Sequence, residues 1–157
     1  MEPAIGIKPE NLFKSADLLN IFLADEYILY TKTKNAHWNT RGRDFYEKHK
    51  FYEMQFEELD KIIDDLAERI RTLGHFAPAS LKRFLQLTHF SESSGQLNDS
   101  MDFVKDLLAD HESIIIHFRE NIDRLANEFH DQGSSDFITG ILEKHEKMAW
   151  MLREQLN

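Results

Sequence analysis

The run His37–Gly74, HWNTRGRDFYEKHKFYEMQFEELDKIIDDLAERIRTLG, decides the fold. A Gly-containing turn at its front is followed by Phe45, His49, Tyr52, Phe56, Leu59, Ile63, Leu66, Ile70 and Leu73. These alternate spacings of four and three without a slip, which is the pattern of one long amphipathic helix. Asp44 stands where an N-cap belongs and Gly74 where a helix stops. Beside the apolar stripe, His49, Glu53, Asp64 and Glu68 fall inside an arc of about 100°, so they line one face.

Working outward, Pro9 suits a first helical turn, and Leu12, Ala16, Leu19, Leu23 and Tyr30 continue at helical spacing. This predicts a first helix from about Pro9 to the His37 region, with Asn39 to Gly42 as the turn. Beyond Gly74 the segment from His75 to Gly95 is less regular. It holds Pro78, a short helical stretch SLKRFLQL and the Ser-rich connection SESSG. A third long helix follows on Leu97, Met101, Val104, Leu108, His111, Ile115, Phe118, Ile122, Leu125 and Phe129, with Gly133 as its stop. The fourth starts near Ser134, Ser135 or Asp136 and carries Ile138, Ile141, His145, Met148, Leu152 and Leu156 on one face. The fold expected is all-α: one domain over residues 1–157, four long helices in a bundle, and a short extra helix in the long second-to-third connection. A connection of that length lets the second and third helices run parallel.

The 157 residues are 41% hydrophobic, enough for a genuine core. No apolar run reaches the roughly 20 residues of a membrane span, and MEPAIGIKPE lacks a signal-peptide layout. A soluble, intracellular protein is expected. With no cysteine, disulfides, thiolate nucleophiles and iron–sulfur clusters are excluded, and any metal must sit on His, Asp and Glu. That donor set favours iron, manganese or zinc. A net charge of −9 argues against general affinity for nucleic acid and suits a gatherer of cations.

The acidic face of the second helix has two readings. It is either the solvated side of an amphipathic helix or a row of metal ligands. In the second case one helix cannot close the site, because fifteen residues separate His49 from Asp64, about 22 Å of helix. Two copies packed antiparallel about a two-fold axis would close it. The pairs His49/Glu68 and Glu53/Asp64 have the same residue-number sum, so a single register sets both pairs face to face, twice per dimer. His37, at the end of the first helix, can fold back towards His49. The same register sets Glu57 against Asp60, tolerable only towards water or cations. An intrachain di-iron bundle is disfavoured, since no histidine has Glu or Asp three residues before it. H-E-x-x-H, Walker-type and Gly-x-Ser-x-Gly motifs are also missing. His111 and His145 fall in core-facing series, whereas His75, His89, His117 and His130 show no partner spacing.

His37-Trp38-Asn39 with Arg41-Gly42, then Phe45, His49, Glu53, Asp64 and Ala67-Glu68-Arg69, closely resembles the signature of the Dps family. These are the ferritin-like DNA-binding proteins of starved cells, also called miniferritins. The closing stretch EKHEKMAWMLR, residues 143–153, is similar to the family's last helix, so the resemblance spans essentially the whole chain. It implies a ferritin-like four-helix subunit and a hollow dodecamer built from two-fold dimers. It also implies a di-iron ferroxidase site between subunits, with His37, His49 and Glu53 from one chain and Asp64 and Glu68 from the other as catalytic metal ligands.

Such proteins are cytoplasmic, oxidise ferrous iron, preferably with hydrogen peroxide, and store ferric mineral, which protects against oxidative damage. Position 53 carries Glu where the family usually has Asp, one methylene shorter. Trp38 is either a radical sink or a packing residue. Asp131 and Asp136 are candidates for a pore that admits iron at a three-fold axis, with helix capping as the competing role for Asp136. Nucleoid compaction is the alternative function. Family members that bind DNA use Lys- and Arg-rich tails, but only Lys8 precedes the first helix here and Arg153 is the last cation, so weak DNA binding at most is expected.

Overall fold

In the computed structural model, which describes residues 3–92 and 99–156, Pro9 opens α1 (Pro9–Asn39), where its missing N–H is no loss. Lys8 before it is extended, as a residue preceding proline must be. The N–H of Thr40 still bonds the Ala36 carbonyl before the backbone leaves the helix. Gly42 then takes φ +116°, and α2 (Phe45–Thr72) begins three residues on. Asp44 occupies the N-cap position but makes no capping bond; its Oδ2 instead accepts from Ser100 Oγ at 3.2 Å. Gly74 stops the helix with φ +85° while the N–H of His75 reaches back to the Ile70 carbonyl. A Cβ on Gly74 would stand 2.6 Å from Pro3 Cδ, so only glycine lets the N-terminal segment lie there.

The helical stretch after Pro78 forms α3 (Leu81–Leu87), capped by Ser80 and laid on α1 with Phe84 stacked on Tyr27 at 4.4 Å. Ser93 to Gly95 of the Ser-rich connection and Leu97 lie outside the described residues. α4 (Ser100–Asp123) opens on Asp99, whose side chain accepts from the N–H of Met101. The third long helix does not run on to Gly133. Its α-helical bonding ends at Asp123, Arg124–Glu128 is wound as a π-helix, and His130 takes φ +54°. Histidine is among the few non-glycine residues that tolerate this region, so the chain reverses three residues early. Gly133 instead lies in the first turn of α5 (Gln132–Arg153). Asp131, not Ser134, Ser135 or Asp136, caps that helix by accepting from the N–H of Ser134 at 2.9 Å.

Three polar contacts fix the helix directions. Ser100 on Asp44 brings the starts of α2 and α4 together, so these two run parallel. Arg69 on Asp131 joins the end of α2 to the start of α5, and Lys48 on Gln155 joins the start of α2 to the far end of α5. α2 and α5 are therefore antiparallel, and the subunit is two hairpins, α1/α2 and α4/α5, joined by one long crossover.

The core is filled by side chains such as Leu19, Phe22, Leu59, Leu66, Val104 and Phe118, all nearly inaccessible. Burying each stabilises the fold by about 1.5–3 kcal/mol. A polar string crosses it. His111 Nδ1 lies 2.9 Å from His145 Nδ1, so one ring donates and the other accepts. On its other side His145 Nε2 approaches Glu26 Oε1 at 2.8 Å, off the hydrogen-bonding direction, and all three residues are fully buried. Both histidines are thus core residues, as their spacing predicts.

Burial, reinforced by the neighbouring His145, holds His111 well below the ordinary histidine value of 6.5. A depressed folded-state value means that the stabilisation is complete above the unfolded value and drains away as pH falls below it. Thermal melts at about pH 7.5 and about pH 5.5 should show a loss on the order of 1 kcal/mol from this group. His111→Gln should flatten that difference; an unchanged difference in the variant would contradict the assignment.

Candidate metal centre

The last turn of α1 and the first turns of α2 meet across the Gly42 turn, which sets His37 beside His49 with ring centroids 3.7 Å apart and planes 22° off parallel. Each ring is tied to the other's backbone. His37 Nδ1–H donates to the His49 carbonyl at 2.8 Å, and His49 Nδ1–H donates to the His37 carbonyl at 2.9 Å. A carbonyl can only accept, so both imidazoles carry the proton on Nδ1 and present a bare lone pair at Nε2. This is how a metal-ligating histidine is prepared by its outer neighbours. Phe45 stacks on the outer side of His49 at 5.3 Å and Phe56 meets His37 edge-on at 5.1 Å, so the pair is clamped between aromatic rings. His37 is buried and His49 half-buried.

Glu53, one turn beyond His49, is half-buried, with Lys50 donating to Oε2 at 2.6 Å. That contact holds its carboxyl below the usual range. Lys50 was not foreseen from the sequence, where lysine at i+1 from a ligand reads as ordinary surface charge. Asp64 and Glu68 lie on the same unbroken helix, both exposed to solvent. One chain therefore brings His37 and His49 together, with Glu53 one turn further along α2, and leaves Asp64 about 22 Å along that helix from His49.

Trp38 is 67% exposed, with Lys34 Nζ 5.9 Å from its ring, so it does not pack in its own subunit's core. The two pore candidates differ. Asp136 is exposed, whereas Asp131 is inaccessible and committed to structure. Its oxygens accept from Ser134 Oγ at 2.6 Å and from Arg69 Nη2 at 3.0 Å. Gly133 makes room for that guanidinium: a Cβ there would stand 2.9 Å from Arg69 Nη2.

The profile of the ferritin-like domain matches residues 16–157. The DNA protection during starvation protein of Helicobacter pylori is 33% identical over 143 residues, covering 91% of this chain and 99% of the relative. The chain belongs to the Dps branch of the ferritin-like family. DNA protection during starvation protein 2 of Bacillus anthracis is 32% identical over 142 residues, 90% of this chain and 95% of that one. A low temperature-induced protein of Nostoc is 43% identical over 149 residues, 95% and 83% of the two chains. Among solved structures, the Dps protein of Vibrio cholerae, described as a ferritin-like diiron-carboxylate protein, superposes with a TM-score of 0.91 at 29% identity, covering 99% and 97%. Iron storage and iron oxidation are the functions that accompany this family in general. Among the described residues of this Dps chain, no helix is long and apolar enough to cross a membrane.

Arg69, next to Glu68, steadies this half of α2 from the far side. Arg69→Ala leaves Asp131 buried without its cation and should lower stability by about 2 kcal/mol. Denaturant titration of Arg69→Ala against Arg69→Lys measures it, and equal midpoints for wild type and Arg69→Ala would contradict the role given to the pair.

Proposed function

We propose that this Dps subunit is a ferroxidase and iron store whose oxidation site is completed by a second copy of the chain. The observation that carries this reading is the reciprocal bonding of His37 and His49, which ties up both Nδ1 atoms and leaves both Nε2 atoms free to act as lone-pair donors. His37, His49 and Glu53 of one subunit bind the substrate, ferrous iron, together with Asp64 and Glu68 of a two-fold-related copy. The exposure of Asp64 and Glu68 in the single chain fits ligands that are waiting for a partner. So does the apolar surface that the subunit leaves open, with Phe76 85%, Leu81 67% and Leu85 48% exposed. A closed dodecamer of such dimers is the assembly we propose, with the acidic excess of −9 favouring the gathering of cations.

The residues act in order. Arriving iron displaces Lys50 from Glu53, a weak exposed pair. The Nδ1–H tautomer is already set in both rings, so Nε2 can take iron without a proton moving from one ring nitrogen to the other. Two ferrous ions held side by side each give one electron to hydrogen peroxide. The O–O bond takes both and breaks into two hydroxide ions, so no hydroxyl radical leaves. Glu53, one methylene longer than the family's usual Asp, reaches further from the helix towards the shared site. Trp38, exposed next to His37, is placed to take up a stray oxidising equivalent, and Asp136 is the exposed candidate for the route by which iron enters. Affinity for DNA should be weak, since a net charge of −9 repels the phosphate backbone.

Stopped-flow oxidation of ferrous iron by peroxide tests the ligand assignment. His37→Ala combined with His49→Ala should slow it by at least about tenfold while the assembly keeps its size. Unchanged kinetics in the double variant would remove these residues from the site.

A further inference from the structure

About 18 Å along α1 from His37, three chain segments bring together a second set of ligand-type side chains. Asp25 of α1, His89 just after α3 and His117 of α4 place one ligand atom each within 4.8 Å of the others. Asp25 is almost wholly buried. Its Oδ1 is held by two donors, Thr88 Oγ1 and the backbone N–H of His89, each at 2.7 Å. That leaves Oδ2 facing two imidazoles, with His89 Nδ1 at 3.2 Å and His117 Nδ1 at 3.7 Å. The His117 ring is set by an edge contact on Phe22 at 5.2 Å, and the two imidazoles meet at 87° with centroids 4.2 Å apart. Both therefore turn the same nitrogen, Nδ1, towards one carboxylate oxygen.

We propose that Asp25, His89 and His117 form a binding site for a divalent transition-metal ion, distinct from the histidine pair at the end of α1. Metal–nitrogen and metal–oxygen bonds of about 2.0–2.1 Å in a tetrahedral arrangement separate neighbouring ligand atoms by about 3.3 Å. The observed 3.2 and 3.7 Å bracket that value. Two neutral imidazoles and one carboxylate are a donor set for zinc or ferrous iron rather than for calcium or magnesium, which take oxygen. The two bonds to Oδ1 supply the outer shell that fixes a ligating carboxylate. The site is open on one side: Asp25, His89 and His117 line a surface pocket of about 230 Å³ together with Ser113 and Glu120, so a carboxylate or water can complete the coordination. Burial works against the charge of Asp25, yet contacts from His117, Thr88 and His89 outweigh it and hold the carboxyl below its ordinary value. The competing occupant is a proton, which would make the cluster an Asp–His ion pair.

Cobalt(II) is the probe, because its visible absorption reports coordination by nitrogen and oxygen independently of any iron chemistry. Metal-free full-length protein carrying His37→Ala and His49→Ala, titrated with cobalt(II), should bind one equivalent per chain with a coordination spectrum, and zinc should displace it. Adding His89→Ala and His117→Ala should weaken that equivalent by at least tenfold. His89→Gln, at a ring that is 53% exposed, gives the same test where the multiple variant does not fold. An unchanged cobalt spectrum and stoichiometry in these variants, or no cobalt equivalent in the His37/His49 background, overturns the proposal. Neither outcome bears on whether His37 and His49 oxidise iron.

Discussion

Two hydrogen bonds, exchanged between the imidazole of His37 and the carbonyl of His49 and the reverse, are the constraint on which the proposed iron site depends. They do three things together. They lock the junction of α1 and α2, they choose the Nδ1 tautomer for both rings, and they leave both Nε2 atoms as bases. A histidine with a freely chosen tautomer would present the wrong nitrogen for part of the time and would have to be reorganised on binding. The aromatic clamp of Phe45 and Phe56 removes the remaining freedom of the rings.

The bundle supplies what this pair needs and then stops short of completing the site. α2 is unbroken from Phe45 to Thr72, so its acidic residues are spread over a length that no single ion can bridge. Its two ends are anchored differently. Lys48 and Asp44 bind the ends of α5 and α4 near the histidines, whereas Arg69 reaches through the gap left by Gly133 to the cap of α5. A helix held at both ends presents its acidic face in fixed register, which a symmetric partner requires.

Much of this is legible in the chain. The uninterrupted alternation from Phe45 to Leu73 marks α2, Gly74 marks its end, and the core positions of His111 and His145 follow from helical phase. The proposed shared site follows from arithmetic on four residue numbers, and the resemblance to the family signature adds His37 to it. The features that the chain does not announce are non-local or go against a residue's usual propensity. Glycine is the usual residue at positive φ and so points to Gly133 as the stop of the third long helix, but His130 takes that conformation and a π-helix absorbs the slack. The sequence offers Asp131 as a pore candidate, and nothing near it announces Arg69, its partner sixty-two residues away. The Asp25, His89 and His117 cluster joins three segments across the crossover, so no spacing along the chain could reveal it.

Completion of the oxidation site by two chains is the claim that most needs a direct measurement, and mixed assemblies provide it. One variant carries His37→Ala and His49→Ala, the other Asp64→Asn and Glu68→Gln, and each alone has a defect in every site. If every site takes its histidines from one subunit and its distal carboxylates from the other, a dimer of the two variants has one intact site and one with both defects. Random co-assembly in equal amounts should then restore about a quarter of the wild-type rate of peroxide-dependent iron oxidation. Mixed shells no faster than the separate variants would contradict the account.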